Sequence, residues 1–470
     1  MIPRATRIYL YAVGNCVIPI KGSSMNIIIV GIGSVGFTAT EVLSHYHDVM
    51  IIDHDRNVIE KAKSLLNVSV LYEDGTNPKV LEGAINRHQA DVIISTTGRD
   101  DDNLLTCMLS KLIKPSIKTI ARIRDPDFHI QTSETTVDQI ISPEIMTANK
   151  MAELALLENA VDYESIESME LGLALFEVRE NHTEIIGKTS MKVDVPEGCT
   201  IIAIYRDDEV ILEHETVPIR IGDRIRVLGN PEAIHKFNSM MGISREATEF
   251  IIVGGGVAGS HTAQLLESRK RYVKLFETDP KKCSQLAKEL NSVIIVNGSG
   301  VDPHLLRSEN VGRADVLIAI TDADETNLLA CLMGMKLGTT KVISRYSMVE
   351  YEDIFDFTGI RSTVGNHRVV ANAITKTLIE DEKSILRMKR EGELFFSVTV
   401  DPKSKICKEP FGDIHFPEGC RVGCIIRDKE KIYPRMGTVF HANDIVILFT
   451  YNINKNKLER LFGTHIDIEV

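Results

Sequence analysis

Short β-branched apolar runs recur along the first third of the chain, at residues 26–30, 49–52, 68–72, 91–95 and 117–121, and the stretches between them place apolar residues at helical spacing. Strands alternating with amphipathic helices predict a parallel sheet covered on both faces. The pattern then changes. Residues 171–178, 200–205 and 224–228 alternate with period two between turn residues, which predicts a small β-rich module. After that the whole arrangement repeats. NIIIVGIGSVG at 26–36 returns as EFIIVGGGVAG at 249–259, Ala90-Asp91-Val92-Ile93 as Ala314-Asp315-Val316-Leu317, and Asn103-Leu104-Leu105 as Asn327-Leu328-Leu329, at an offset of 223–224. The β-rich module repeats too, with Val195-Pro196-Glu197-Gly198-Cys199 matching Phe416-Pro417-Glu418-Gly419-Cys420 at an offset of 221. The order is A–B–A–B. The Pro-Glu-Gly-Cys segments read as tight turns leading into strands. Helical patterns at 145–160 and 369–379 join each A unit to its B unit. Each is long enough to cross to a neighbouring subunit, or it packs on its own sheet.

Each A unit carries G-x-G-x-x-G between its first strand and first helix: Gly31-Ile32-Gly33-Ser34-Val35-Gly36, then Gly254-Gly255-Gly256-Val257-Ala258-Gly259. The first glycine permits the tight turn, the second lets the backbone approach a pyrophosphate, and the third lets helix and strand pack closely. The helix start offers unpaired N–H groups and a positive dipole end. The next strand closes on Asp53 in the first copy and on Glu277 in the second. A carboxylate there accepts ribose hydroxyls and repels a 2′-phosphate. NAD(H) is therefore favoured over NADP(H), while ATP and ADP present the same diol.

Other repeated polar residues are expected in the same crevices: Asp74 and Asn297 after the third strand, Thr96, Thr97 and Thr321 after the fourth, Arg122 and Arg345 after the fifth. Each arginine either meets a phosphate bidentately or forms a structural ion pair at a subunit contact. The acidic runs Asp100-Asp101-Asp102 and Asp322-Ala323-Asp324-Glu325 are expected to cap helices beginning near Asn103 and Asn327, in preference to holding a divalent cation. No metal site is expected. The fold class is thus α/β: two Rossmann-like doubly wound parallel-sheet domains, each followed by a small β-rich α+β domain. The expected boundaries are an extension at 1–24, nucleotide-binding domains at 25–145 and 248–368, helical linkers at 146–165 and 369–384, and β-rich domains at 166–240 and 385–465.

Composition narrows the class further. A chain of 470 residues with 43 % hydrophobic and 26 % charged residues has ample material for several cores. The net charge of −12 implies no general polyanion-binding surface, so no nucleic-acid partner is expected beyond a local basic patch. Eight cysteines, at 16, 107, 199, 283, 331, 407, 420 and 424, form no CxxC pair and no zinc-spaced cluster. Buried free thiols in a reducing cytosol fit them best. No apolar run is long enough to span a membrane. The segment 8–18, after Arg4 and Arg7, imitates a signal peptide but is interrupted by Gly14 and Asn15 and followed by Pro19.

A dehydrogenase needs a substrate domain and a proton-transfer residue facing the nicotinamide. Neither can be placed, so no catalytic residue is expected; an NAD-dependent oxidoreductase with a duplicated Rossmann fold is the alternative. The Tyr451…Lys455 spacing of short-chain dehydrogenases lies far from both glycine motifs and reads as chance. His45 and His47 flank a helix end and are expected to face solvent. No P-loop lysine motif occurs. The alternating order, the glycine motifs with their acids, the Asp324-Glu325-Thr326-Asn327 segment and the Pro-Glu-Gly-Cys segments together resemble the TrkA family, the NAD-binding regulatory subunits of Trk-type potassium uptake systems. The resemblance runs from residue 25 to about 465. It makes the A units RCK_N domains and the B units RCK_C domains. It implies a cytoplasmic protein, peripheral on the inner face of the membrane, that forms a homo-oligomeric RCK ring beneath a membrane-embedded potassium transporter. It also places the residues named above on NAD(H), or on ATP or ADP, at two sites.

Overall fold

The computed structural model describes residues 24–464 except 45–46, 126–136, 167–168, 208, 213–215, 243–245, 349, 379–384, 388–392 and 454. The signal-like run, Cys16 and His45 lie outside the described residues. The first A unit contains β1 (Asn26–Val30), α1 (Ser34–Leu43), β2 (Asp48–Asp53), α2 (Arg56–Leu65), β3 (Ser69–Tyr72), α3 (Pro78–His88), β4 (Val92–Ser95), α4 (Asp100–Ile113) and β5 (Lys118–Arg122). A sixth strand, β6 (Gln139–Ile141), and α5 (Pro143–Leu156) complete it. All six strands run parallel in the order β3-β2-β1-β4-β5-β6. This is the doubly wound order, with its crevice at the C-terminal ends of β1 and β4. The apolar runs mark the central strands because helices cover both faces: Ile27, Ile28 and Ile29 are all fully buried. Asp55 starts α2 by accepting the Asn57 amide, and Asn77 starts α3 by accepting that of Lys79.

The first B unit contains β7 (Ala160–Ile166), β8 (Leu171–Glu177), β9 (Cys199–Arg206), β10 (Glu209–Ile211), β11 (Arg224–Gly229) and α6 (Pro231–Met240). Its sheet is antiparallel, β10-β9-β11-β8-β7, and β7 begins inside the stretch read from sequence as a helical link. The second A unit repeats the first: β12 (Glu249–Val253), α7 (Val257–Ser268), β13 (Tyr272–Glu277), α8 (Pro280–Glu289), β14 (Ile294–Asn297), α9 (Pro303–Ser308), β15 (Val316–Ala319) and α10 (Asp324–Leu337). It continues with β16 (Lys341–Tyr346), α11 (Tyr351–Phe357), β17 (Ser362–Gly365) and α12 (Asn366–Leu378), and its strand order is β14-β13-β12-β15-β16-β17. The second B unit has β18 (Ile385–Arg387), β19 (Glu393–Thr399), β20 (Cys420–Arg427), β21 (Glu430–Ile432), β22 (Ile445–Tyr451) and α13 (Lys455–Phe462). In both B units the Pro-Glu-Gly-Cys segment is a tight turn, closed by Cys199 N–H to Pro196 O at 3.3 Å and by Cys420 N–H to Pro417 O at 3.1 Å.

The joining helices neither stay on their own sheet nor leave the chain: they are exchanged between the two halves. Helix α5 of the first half packs on α7 of the second, and α12 of the second packs on α1 of the first. Val370, Ala373 and Ile374 of α12 share a core with Val35, Ala39 and Leu43. Met151, Leu154 and Ala155 of α5 enter a core that runs from the first B unit to Ile252 and Ile318 of the second A sheet. Lys341, at the start of β16, fastens this contact. Fully enclosed, it donates to the carbonyls of Leu154, Leu157 and Ala160 at 2.7, 2.8 and 2.6 Å, which satisfies carbonyls at and beyond the C-terminus of α5.

The two B sheets also share a core, with Leu173, Leu175 and Ile202 of the first against Phe395, Ile447 and Phe449 of the second. Inside that contact Arg226 is 2 % exposed and lies 3.4 Å from Asp162 and 3.8 Å from Glu393 of the other B unit. Lys150 of α5 pairs with Asp162 and Glu164, so this buried charge cluster reaches back to the exchanged helix. The described cysteines are free thiols, all buried except the partly exposed Cys407. His47, expected to face solvent, instead accepts the Met25 amide on Nδ1 at 3.3 Å.

Candidate functional site

Both glycine loops adopt the same geometry. Gly31 and Gly254 have φ of +86° and +116°, a left-handed region where side chains are strained. A Cβ on Gly36 would come within 2.0 Å of Gly31 O, and one on Gly259 within 1.9 Å of Gly254 O. Close packing of helix on loop therefore requires glycine at the third position. The middle glycines, Gly33 and Gly256, have nothing within 4 Å of a built Cβ. They cap the starts of α1 and α7, and their open side is where a phosphate group could approach the helix amides.

The strand-end acids brace these loops. Asp53 accepts the Ile32 amide at 2.7 Å on one oxygen and the Asp55 amide at 2.8 Å on the other. Glu277 does the same with Gly255 at 3.0 Å and Asp279 at 2.8 Å. Burial alone would raise the Glu277 pKa, but these amides outweigh it and hold the carboxyl below its usual value. The longer acid explains the neighbouring glycine, since a Cβ on Gly255 would lie 2.8 Å from Glu277 Oε2. Glu277 Oε1 also accepts the Thr278 hydroxyl at 3.2 Å, while Oε2 keeps a further lone pair for a hydroxyl donor.

A cavity of about 520 Å³ opens at the C-terminal ends of β12, β13 and β15. The second glycine loop, Glu277, Thr321 and Arg345 line it, together with Lys282 and Ser299. Arg124 and Glu144 of the first half complete its wall. Thus Gly254, Gly255, Gly256, Val257, Ala258, Glu277, Thr321 and Arg345 are brought together, with Gly259 behind them in the loop–helix packing. Asn297 is not among the lining residues: its amide donates to the Glu277 and Thr278 carbonyls at 3.1 and 3.2 Å. In the first half, Gly31, Gly33, Ser34, Gly36, Asp53 and Thr97 occupy the corresponding positions. Ile32 and Val35 turn their side chains into the core. Thr96 is buried, with its hydroxyl donating to Gly31 O at 2.7 Å, so it braces the loop. Asp74 is exposed and accepts both the amide and the hydroxyl of Thr76, which lower its pKa.

Both strand-5 arginines form ion pairs within their own half. Arg122 pairs with Glu144, and Arg345 with Asp322 at 2.9 Å. Of the two, only Arg345 lines the described cavity. The acidic runs do something the sequence did not suggest. Helices α4 and α10 start at Asp100 and Asp324, three residues earlier than expected, with no side-chain cap. Asp100 instead accepts the Arg124 and Asp125 amides at 3.1 and 2.9 Å, and Asp324 accepts those of Ser347 and Met348, both at 2.9 Å. They fix the chain just beyond β5 and β16.

The sequence reading missed Arg124, Glu144, Lys282 and Ser299 of the cavity wall, and it also missed Asn103 and Asn327, although both lie in the repeated Asn-Leu-Leu segment. Each asparagine is fully buried. Asn327 Oδ1 accepts the Thr321 amide and hydroxyl, both at 2.8 Å, while Nδ2 donates to the Thr321 and Arg345 carbonyls at 2.9 and 3.1 Å. Asn103 makes the same bonds to Thr97 and the Arg122 carbonyl. One amide side chain thereby ties together the ends of the fourth and fifth strands.

With this geometry in place, comparison with known proteins is informative. The TrkA-N domain family matches residues 27–143 and 250–366, and the TrkA-C domain family matches 173–242 and 395–463. The Trk system potassium uptake protein TrkA homolog 1 of Methanosarcina mazei is 29 % identical over 451 residues, covering 93 % of this chain and all of that protein. Trk system potassium uptake protein TrkA of Vibrio alginolyticus is 25 % identical over 443 residues, covering 91 % and 96 %. Among solved structures, the GsuK RCK domain shares the fold with a TM-score of 0.63 at 19 % identity, covering 95 % of this chain and 97 % of that one. The GsuK channel bound to NAD does so with 0.62 at 18 %, covering 94 % and 79 %. The chain belongs to the TrkA family, as two TrkA-N domains alternating with two TrkA-C domains.

Proposed function

We propose that this chain is a nucleotide-sensing regulatory subunit of a Trk-type potassium uptake system. It acts on the cytoplasmic face of a membrane-embedded transporter, self-associates into a ring, and takes NAD(H), ATP or ADP in its two crevices. The observation that carries this reading is the second cavity: a glycine loop, a helix start and a strand-end acid converge there, and the other half of the chain supplies part of the wall. A ligand held at such a junction can favour one arrangement of the halves by the difference in its affinity for the two.

The carboxylates of that wall support sensing over turnover. Glu277 is engaged by loop amides, Glu144 by Arg122 through one oxygen, and Asp322 by Arg345. Among the described residues no helix is long and apolar enough to cross a membrane, which agrees with a separate membrane partner. Self-association is supported by exposed apolar residues on outer helices: Leu105, Met108 and Leu112 along α4, Leu329 on its counterpart α10, and Phe357 on α11.

Calorimetric titration of the full chain with NAD⁺, NADH, ATP and ADP tests the reading, with Gly33→Val and Gly256→Val blocking the crevices one at a time. Binding at two sites without cofactor turnover, each lost in one variant, is the expected result. Nucleotide-dependent potassium flux through a reconstituted transporter should follow the same variants. Consumption of a cofactor, or no binding, would overturn it.

A further inference from the structure

The contact between the two B sheets pairs equivalent positions that do not carry equivalent residues. Both sheets have the same strand order and ladder register, so β22 sets Ile447 at the place of Arg226, and β8 sets Leu171 at the place of Glu393. All four side chains are buried. On one side of the contact, Arg226 of the first unit and Glu393 of the second lie 3.8 Å apart. At the related positions, Leu171 and Ile447 belong to the shared apolar core.

A like pair could not reproduce this arrangement. Two first units would set Arg226 against Leu171 on both sides, and two second units would set Glu393 against Ile447. A buried charge facing an apolar side chain loses the attraction of its partner and keeps its desolvation cost. Arg226 is held ready by its own unit, 3.4 Å from Asp162 and from the Tyr205 hydroxyl, whereas Ile426 stands at the place of Tyr205 in the second unit. Shape agrees with charge. Each inner strand carries a bulge at the same point, where the extra residue is Ile202 in β9 and Gly423 in β20. A Cβ on Gly423 would lie 2.4 Å from Leu228 Cδ2, so the isoleucine of the first unit would not fit there. At the rim Lys431 pairs with Glu170 across the contact at 2.8 Å, and Val210 holds the place of Lys431 in the first unit.

We propose that this contact is a recognition surface that admits only an unlike pair: a first B unit accepts a second B unit, in its own chain or in another copy, and neither accepts its own kind. Arg226 and Glu393 carry the charge half of this code, and Ile202 and Gly423 carry the steric half. Discrimination by a misplaced buried charge or an overfilled gap works against the wrong partner and adds little to the right one. Where two copies of the chain exchange B units, the exchange is therefore first to second. The proposal stands apart from what the crevices bind.

Hydrogen exchange of the full chain at β8, β11, β19 and β22 reads the contact, with β1 as the internal reference. Glu393→Leu together with Ile447→Arg gives the second unit the residues of the first and imitates like pairing inside one chain. Exchange at the contact should then quicken about 100-fold or more. Arg226→Ile together with Glu393→Leu makes both sides apolar and should stay within about tenfold of the parent, closer to it than Glu393→Leu alone. Gly423→Ile should open the contact with no change of charge. If the imitation chain fails to fold by circular dichroism, Glu393→Gln gives the milder reading, a quickening of about tenfold. Unchanged protection in the imitation chain, or in Glu393→Gln where that chain is unfolded, overturns the proposal. So does an apolar pair that opens as far as the imitation chain, because the charges would then hold the contact together and select nothing.

Discussion

Replacing Asn327 by alanine removes the side chain that holds the ends of β15 and β16 together beneath the second crevice. Four hydrogen bonds disappear, two accepted from Thr321 and two donated to the carbonyls of Thr321 and Arg345. Each is worth roughly 1 kcal/mol net, and a buried group left unpaired costs about 1–3 kcal/mol. Water entering the small space left by the amide recovers part of this, so the local cost should be about 3 kcal/mol. A chain with several cores does not unfold in one step, so the appropriate assay is local. Hydrogen exchange of the 316–327 segment should accelerate about 100-fold, at about 1.4 kcal/mol per decade, while the 92–103 segment keeps its rates. Asn103→Ala should give the mirror result. Exchange at Thr321 changed less than threefold in a folded variant would refute the view that this amide sets the crevice floor.

Three further expectations follow from the geometry. Burial pushes the Lys341 ammonium down to about 7, with Glu158 drawing it up and Arg179 pressing it lower; unfolded lysine titrates near 10.4, so the unfolded chain binds the additional proton between these values. Stability should therefore rise from about pH 7 to pH 10, and Lys341→Met should flatten that rise in thermal scans while freeing the end of α5 to exchange faster. Gly259→Ala puts a methyl 1.9 Å from Gly254 O and should abolish nucleotide binding at the second crevice alone, whereas Gly256→Ala meets nothing within 4 Å and should leave the fold's circular dichroism unchanged. Leu112→Asp and Phe357→Asp, at positions 79 % and 92 % exposed, should lower the oligomer mass in sedimentation without loss of nucleotide binding, and an unchanged mass would exclude these faces from assembly.

Much of the architecture was legible because the parallel strands are buried on both faces. A run such as Asn26–Val30 then reads as nearly continuous β-branched sequence. The sixth strands were not legible, since Gln139–Ile141 and Ser362–Gly365 are too short to show a period. Thr96 and Thr97 show a finer limit. Adjacent residues at a strand end point in opposite directions, and only the structure shows that Thr96 turns to the Gly31 carbonyl while Thr97 meets Asn103. Arg226 and Glu393 lie on strands where alternation would place charge in solvent; the two B sheets cover each other there and bury both. The apolar stripes of α5 and α12 announced a packed helix, but a stripe does not name its partner. Arg124 and Glu144 escaped notice for the same reason, because they reach the second cavity only through contact between the halves.

The exchange of helices also bears on how the chain is made. Val35, Ala39 and Leu43 of the first unit are covered by Val370, Ala373 and Ile374, which lie roughly 330 residues further along. Translation at about 5–20 residues per second delivers them about 17–66 s after α1 has left the ribosome. Throughout that interval the nascent first half presents an uncovered apolar helix face, able to capture the corresponding helix of another nascent chain. Where translation is coupled on polysomes, the same contact that joins the halves of one molecule can join two molecules by swapping. Synthesis order, and not only equilibrium stability, then decides how much correctly closed chain accumulates.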